Sequence, residues 1–379
     1  MHLSIGARLA CMFMYCCRVF PIKNNKIVFS SFFGKKYNDN PRAISEELAT
    51  RKDIKQIWLL SKNVKHPEYI KAVPPVSPAG LFHLATAKVW VDNSRKRGYI
   101  RKRKGQFYIQ TWHGGVGFKA VERGAIETLT KQYVQAAKND SSMADTFVSE
   151  CEWKTEQYRR DFWYTGEIMK CGMPRSDKFF KCTDEITETV KKEFGIDAKK
   201  RILLYAPTFR KDNRTDSYQI DYHNLVQVLH NKFGGEWCVI VRLHPEVSSQ
   251  ANFIEYGDIV INGTPYDDLN DILIASDILV SDYSSCIFDA LYIDKIVFIY
   301  ATDIESYIAN DRHLNFSFDE LPIDISQSNN ELEQIIRDFN KIEYENKRVE
   351  FVNKMGYYSD GHASKTVAQR IIDEMRLED

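Results

Sequence analysis

The stretch Asp271–Asp289, D-I-L-I-A-S-D-I-L-V-S-D-Y-S-S-C-I-F-D, limits what this chain can fold into more than any other. Ile278-Leu279-Val280 is a short apolar run of the kind that forms a strand buried in a parallel sheet. Cys286-Ile287-Phe288 resumes the apolar pattern as the first turn of a helix. Between them lies Ser281-Asp282-Tyr283-Ser284-Ser285, a strand-to-helix turn crowded with hydroxyls. Ser284 or Ser285 would cap that helix, and the next backbone N–H groups would point out of the carboxyl edge of the sheet. Two readings fit: an ordinary serine cap, or a phosphate cradle built without glycines.

The same strand-then-chemistry pattern recurs along the chain. Ile27-Val28-Phe29, Gln56–Leu60, Val89-Trp90-Val91, Gln106–Gln110 and Thr146–Ser149 read as strands of a first half. Helical stretches fall at Pro41–Ala49 and Leu81–Ala87. Gln110 leads into Thr111-Trp112-His113-Gly114-Gly115. In an open α/β sheet ligands bind outside the carboxyl ends of the strands, so His113 is a candidate general base as well as a candidate structural histidine. Thr183–Phe194 reads as a connecting helix ending at Gly195. A second half then restarts with Arg201–Ala206 running into Pro207-Thr208-Phe209-Arg210. Trp237–Val241 follows, leading to Arg242-Leu243-His244-Pro245, then Ile259-Val260-Ile261, the central stretch, and Ile296–Tyr300. Arg forks onto phosphate oxygens, so three strand ends in this half carry phosphate-type chemistry. The expected fold is α/β, with two Rossmann-like domains facing across a cleft. The expected boundaries are an N-terminal segment at 1–22, a first domain at 23–182 and a second at 183–379.

A length of 379 residues suits two domains rather than one core. The 52 basic and 52 acidic residues cancel, so no bulk attraction to nucleic acid follows. Eight cysteines without a C-x-x-C pair read as reduced thiols, and a zinc site is not expected. Residues 1–22 carry Arg8 and Arg18 but no acid. On a helical wheel Ser4, Arg8, Cys11, Tyr15 and Arg18 share one sector, and Leu3, Ile5, Leu9, Met12, Phe13, Val19 and Phe20 fill the rest. The apolar run Leu9–Cys17 is too short to span a bilayer, which leaves a helix packed on its own protein or one lying in a membrane interface. Seven basic residues between Arg95 and Lys104 form either a solvated loop or a contact for an anionic surface.

Taken together, these stretches resemble the CDP-glycerol glycerophosphotransferase family, the teichoic-acid primases and polymerases. The matching segments are Ser31-Phe32-Phe33-Gly34 with Asn40-Pro41, Gln110–Gly114, Gly172-Met173-Pro174-Arg175-Ser176-Asp177 and Ala206–Arg210. They continue with Arg242–Pro245, Ser281–Ser285 with Phe288-Asp289, and Asp360-Gly361-His362-Ala363-Ser364. The resemblance implies the two-Rossmann GT-B architecture and transfer of a polyol phosphate, foremost glycerol phosphate, from a CDP-polyol to a hydroxyl on a lipid-linked or polymer acceptor. CMP is released, and the product is a teichoic-acid or capsule-type polymer. Catalysis is expected from His113 as base and His244 at the donor diphosphate. The donor would lie among Thr208, Arg210, Arg242, Ser281, Asp282, Ser284, Ser285 and Asp289, the last either structural or near the ribose. The acceptor side would hold Gly114, Gly115 and Arg175.

No metal or other cofactor is expected, because the chain has no D-x-D and the acids Asp267, Asp268 and Asp271 precede the central strand. Expected partners are CDP-glycerol or CDP-ribitol, the acceptor and an anionic membrane surface, at the cytoplasmic face of the bacterial membrane. Homo-oligomerisation is left open. After His113 this chain reads Gly-Gly-Val-Gly-Phe where polymerases of the family tend toward Gly-Thr-Pro-Leu. Beyond Arg312 it has Leu321-Pro322-Ile323 near the place of a Pro-Gly-Pro. A nucleotide-sugar glycosyltransferase or epimerase of the same architecture, and an inactive membrane scaffold, are the rival readings.

Overall fold

The computed structural model describes residues 4–208, 219–243, 254–310 and 314–376. It divides into two compact units, one of residues 1–115, 121–180 and 357–379, the other of residues 116–120 and 181–356. The expected boundary after residue 182 therefore falls beside the observed one. Two expectations are corrected: the C-terminal segment belongs to the first unit, and the five residues 116–120 belong to the second.

The first unit is built on seven parallel strands: β1 (Lys23–Ser30), β2 (Lys55–Leu59), β3 (Lys71–Val73), β4 (Ala87–Asp92), β5 (Phe107–Gln110), β6 (Thr146–Ser149) and β7 (Glu167–Lys170). They run in the order β3-β2-β1-β4-β5-β6-β7. Side chains alternate across the sheet as the pleat requires. Ile27, Phe29, Val89 and Val91 face one layer with Trp58 and Ile109. Val28 and Trp90 face the other with Ile57, Leu59 and Tyr108. Helix Asp39–Glu47 covers the first face together with helix Ala363–Met375, through Ile44 and through Val367, Ile371 and Met375. The opposite face is covered by helix Ile5–Cys16 through Met14 and by helix Pro78–Thr86 through Leu81 and Leu84. Helices Lys131–Met143 and Glu152–Asp161 complete this unit.

In the second unit the described strands are β8 (Arg201–Tyr205), β9 (Trp237–Val241), β10 (Val260–Asn262), β11 (Ile278–Ser281), β12 (Ile296–Tyr300) and β13 (Ile325–Ser326). They are all parallel, in the order β10-β9-β8-β11-β12-β13. Helix Thr183–Phe194 leads in and stops where Gly195 adopts φ 66°, the left-handed conformation a glycine C-cap accepts without a Cβ penalty. In both sheets the strand order reverses about one adjacent pair, β1 with β4 and β8 with β11. Connections leave such a pair toward opposite faces, and the gap this opens at the carboxyl ends is where α/β sheets place ligands.

The edge strands β3, β7 and β13 were not legible in the pattern. They have two to four residues and burial that does not alternate, as in Glu167–Lys170, which is partly exposed throughout.

Candidate active site

In the first unit the carboxyl ends of β4 and β5 bring Asn93 and His113 together. His113 Nδ1 lies 2.7 Å from the Asn93 carbonyl oxygen. A carbonyl can only accept, so Nδ1 carries the proton and Nε2 keeps its lone pair as an acceptor. The ring stacks on Trp112, with centroids 4.5 Å apart and an interplanar angle of 28°, and tilts against Phe32 at 5.4 Å. One side of His113 is open to solvent, yet the surrounding protein disfavours the charged form. Burial holds its pKa below the usual histidine value, opposed by the Asn93 carbonyl and reinforced by Lys154 and Arg175. The site therefore presents a neutral imidazole with an accepting nitrogen.

Trp112 is held in turn. Its N–H donates to Gln110 Oε1 at 2.9 Å, and the Arg95 guanidinium lies 5.4 Å from its ring centre. Arg95 is buried between Glu122 at 2.9 Å and Asp140 at 3.2 Å. Lys96 pairs with Asp92 at 2.6 Å. These two cations open the basic run 95–104, and both are internal struts rather than surface charge. Lys102 pairs with Asp145, and Arg103 donates to the Phe20 and Ala85 carbonyls.

A Cβ placed on Gly114 would meet nothing within 4 Å, so its face is open. Gly115 is the reverse: a Cβ there would run into the Glu150 carboxylate at the end of β6. Glu150 is buried, as is Lys154 one helical turn on, whose pKa burial lowers. Arg175 donates its N–H to Asn40 Oδ1 at 3.0 Å, and its side chain sits 3.6 Å from Asp39. Sequence reasoning missed Asn93, Asp39 and Glu150. For Asn93 the signal was its place at the carboxyl end of a switch-point strand.

In the second unit β8 and β11 bring Thr208 against Asp282. The carboxylate accepts from the Thr208 N–H at 2.9 Å, from its hydroxyl at 2.7 Å and from the Tyr283 N–H at 2.5 Å. Asp282 thus holds the two loops together. Ser281 is fully buried and donates to the Ala206 carbonyl at 2.6 Å, another latch between the same strands. Ser284 Oγ accepts the Cys286 N–H at 3.4 Å, and Ser285 is exposed at the start of helix Cys286–Tyr292, with Asp289 in its first turn. Arg242 reaches the Gly263 and Tyr266 carbonyls at 3.1 and 2.5 Å, and burial lowers its pKa. It braces the loop after β10. Gly117 approaches the Ser285 Cβ, which a Cβ on the glycine would meet at 3.7 Å, and the Asn315 amide donates to the Gly117 and Lys119 carbonyls at 2.8 and 2.9 Å. Arg210, His244 and Arg312 lie outside the described residues. Among the described residues no group of three His, Cys, Asp or Glu side chains could hold a metal ion.

Two doubly wound parallel sheets, one in each unit, define the two-domain architecture of the GT-B type. A solved structure of the wall teichoic acid polymerase TagF has the same fold, with a TM-score of 0.85 over 97% of this chain and 94% of that one at 25% identity. The family model for CDP-Glycerol:Poly(glycerophosphate) glycerophosphotransferase matches residues 11–373, and the chain belongs to that family of enzymes. It is 30% identical over 364 residues to a teichoic acid glycerol-phosphate transferase of Staphylococcus aureus, covering 92% of each chain. It is 29% identical over 367 residues to a teichoic acid poly(glycerol phosphate) polymerase of Bacillus spizizenii, covering 93% of each.

Proposed function

We propose that this chain transfers glycerol phosphate from CDP-glycerol to a hydroxyl of a lipid-linked acceptor in wall teichoic acid synthesis. The observation that carries the mechanism is the 2.7 Å contact of His113 Nδ1 with the Asn93 carbonyl, which leaves Nε2 as the accepting nitrogen. The acceptor hydroxyl gives its proton to Nε2 while its oxygen attacks the phosphorus that bears glycerol. A new P–O bond forms, the phosphoanhydride bond to CMP breaks, and CMP departs with the bonding electron pair. A base so placed contributes about 10²–10⁴-fold. The open face of Gly114 admits the acceptor, with Gly115 and Arg175 shaping that side. Ser284 and Ser285 supply hydroxyls to the donor diphosphate, and Thr208, whose hydroxyl proton goes to Asp282, shapes the donor side with its loop. Arg210 and His244 are assigned as the donor-side cations. Arg242, Ser281 and Asp282 act by holding these loops, and Asp289 is assigned to the ribose side.

The membrane part of the proposal rests on the N-terminal helix. Met14 turns inward with partly buried Ala7, Ala10 and Cys11. Ile5, Leu9, Met12, Phe13, Val19 and Phe20 stay exposed. Of the polar wheel sector Cys11 packs in part on the protein while Ser4, Arg8 and Tyr15 are exposed, and most of the apolar residues point outward. Lys23, Lys55 and Lys71 gather around the buried Lys26 and lower its pKa to about 8 after burial. An exposed apolar helix face and a lysine cluster in the same unit fit an anionic bilayer. No described helix is long and apolar enough to cross a membrane.

The test is CMP release from CDP-glycerol and from CDP-ribitol with a lipid-linked glycerol-phosphate acceptor. Release with CDP-glycerol alone, lost in H113A, is the expected result. Equal release from both donors, or release that needs no acceptor, would sink the assignment.

A further inference from the structure

His113 is held by a main-chain oxygen, so whatever fixes the Asn93 peptide also fixes the imidazole. The Asn93 side chain is fully buried, and it ties down the loop after β1. Its Oδ1 accepts the Phe32 N–H at 2.8 Å. Its Nδ2 donates to Ser31 Oγ at 3.1 Å and to Asp39 Oδ2 at 2.5 Å. Ser31 Oγ in turn donates to Asn38 Oδ1 at 2.9 Å. One residue beyond Asp39, the buried Asn40 donates to the Trp112 carbonyl at 3.1 Å and accepts the Arg175 N–H at 3.0 Å. The loop after β1 therefore grips both peptides that decide where the histidine ring goes: the one that binds Nδ1, and the one that leads into His113.

The backbone shows that this arrangement needs holding. Phe32, Phe33, Asp39 and Trp112 have φ of 46°, 60°, 62° and 56°. All four are non-glycine residues in the left-handed region, which side chains with a Cβ disfavour and which persists where surrounding contacts over-determine it. The contacts at Phe32 and Asp39 run through Asn93, and those at Trp112 through Asn40 and Gln110. The hydrogen bond between Asn93 and Asp39 is charge-assisted and part-buried, hence stronger than a neutral one.

We infer that Asn93 and Asp39 are positioning residues for His113: their hydrogen bond sets the Asn93 carbonyl, which keeps the proton on Nδ1 and presents Nε2 to the acceptor hydroxyl. This rests on the assignment of His113 as the base. It also gives the Ser31–Asn40 segment a job in catalysis, although none of its side chains needs to touch a substrate. A pair with a purely architectural role would alter stability and leave the tautomer of one distant ring unchanged.

The experiment uses the full chain with ring-¹⁵N-labelled histidine, His113 being assigned as the signal lost in H113A. Long-range ¹H–¹⁵N spectra report which ring nitrogen carries the proton, alongside kcat and donor KM. Wild type is expected to show the Nδ1-protonated tautomer. N93D sets a carboxylate against Asp39 and is expected to mix the tautomers and cut kcat about tenfold or more, with donor KM unchanged. The double variant N93D with Asp39→Asn restores a donor–acceptor pair of opposite polarity. It should recover both the tautomer and most of kcat. Should N93D not fold, Asp39→Ala carries the same expectations as N93D. An Nε2-protonated wild type, an unchanged tautomer and kcat in N93D, or a double variant no better than N93D would each overturn the inference. Full turnover in H113A would overturn the base assignment itself, a separate result read in the same series.

Discussion

His113 can take a proton only while neutral, and its surroundings favour that form. Its pKa is depressed below the ordinary 6.5, first by burial. A depressed histidine stays unprotonated further into acid, so kcat is expected to hold through neutral pH and fall only as pH drops through a value below 6.5. A rate profile at saturating donor would show this; an acid limb above the ordinary histidine value would mean another group limits the reaction. His113→Ala should lower turnover by about 10²-fold or more and leave donor affinity in place, which titration of CDP-glycerol checks. Gly115→Ala is the sharper geometric test, because the new Cβ must displace the Glu150 carboxylate or move the loop that carries His113. The expected result is a loss of about tenfold or more in kcat, and activity close to wild type would mean the loop yields freely. Glu150 also explains why glycine stands where the family resemblance leads one to expect threonine. His113 and the serines were legible because each follows a strand end closely. Asn93, Asp39 and Glu150 were not, because their partners lie far along the chain and only the folded sheet makes them neighbours.

Two elements changed meaning once folded. The run from Arg95 to Lys104 looks like a charged surface in sequence, but Arg95 and Lys96 are buried in ion pairs, and Arg103 with Arg18 fastens the end of the N-terminal helix region. Sequence counts charges; it does not show that Glu122, Asp140 and Asp92 come to meet them. In the proposed membrane contact, the helix face and the lysines around Lys26 take the place of this run. Leu9→Ser with Met12→Ser removes two exposed apolar side chains. At up to about 1.5–3 kcal/mol per fully buried side chain, the pair should weaken binding to anionic vesicles by about tenfold or more in a sedimentation assay. Arg95 substitutions should instead lower stability, since a buried pair that loses one partner costs about 3–5 kcal/mol. If the serine pair sediments like wild type, the helix is an ordinary packed element. Within the Gly172–Asp177 segment Asp177 is structural, because it caps helix Ala363–Met375 through the Ala363 and Ser364 N–H groups at 2.9 and 2.7 Å. Asp177→Ala should cost about 1–2 kcal/mol, seen as a lower thermal midpoint with kcat unchanged below it.

At the scale of the whole molecule, the chain does not close its first unit until its last helix. Residues 357–379 belong with residues 1–115 and 121–180, although the whole second sheet intervenes. A reading in chain order assigns them to the domain they follow. The physical cue against that was present: Val367, Ile371 and Met375 repeat at helical spacing, and the helix they form needed an apolar face to cover. It covers the sheet face made by Ile27, Phe29, Val89 and Val91, where Val367, Ile371 and Met375 are all fully buried. At about 1.5–3 kcal/mol each, these three side chains contribute an amount comparable to the roughly 5–15 kcal/mol that holds a typical domain together. Ending the chain at Gly356 should therefore unfold the first unit or leave it molten. The second unit keeps all its strands and their covering helices, and should stay ordered. Hydrogen exchange separates the two outcomes: amides of β1 and β4 should lose protection in the truncated chain, and those of β8 and β11 should keep it. Slow exchange in β1 and β4 without residues 357–379 would show that the first sheet is stable with that face uncovered, and the C-terminal helix would then be an accessory rather than the closing layer of the core.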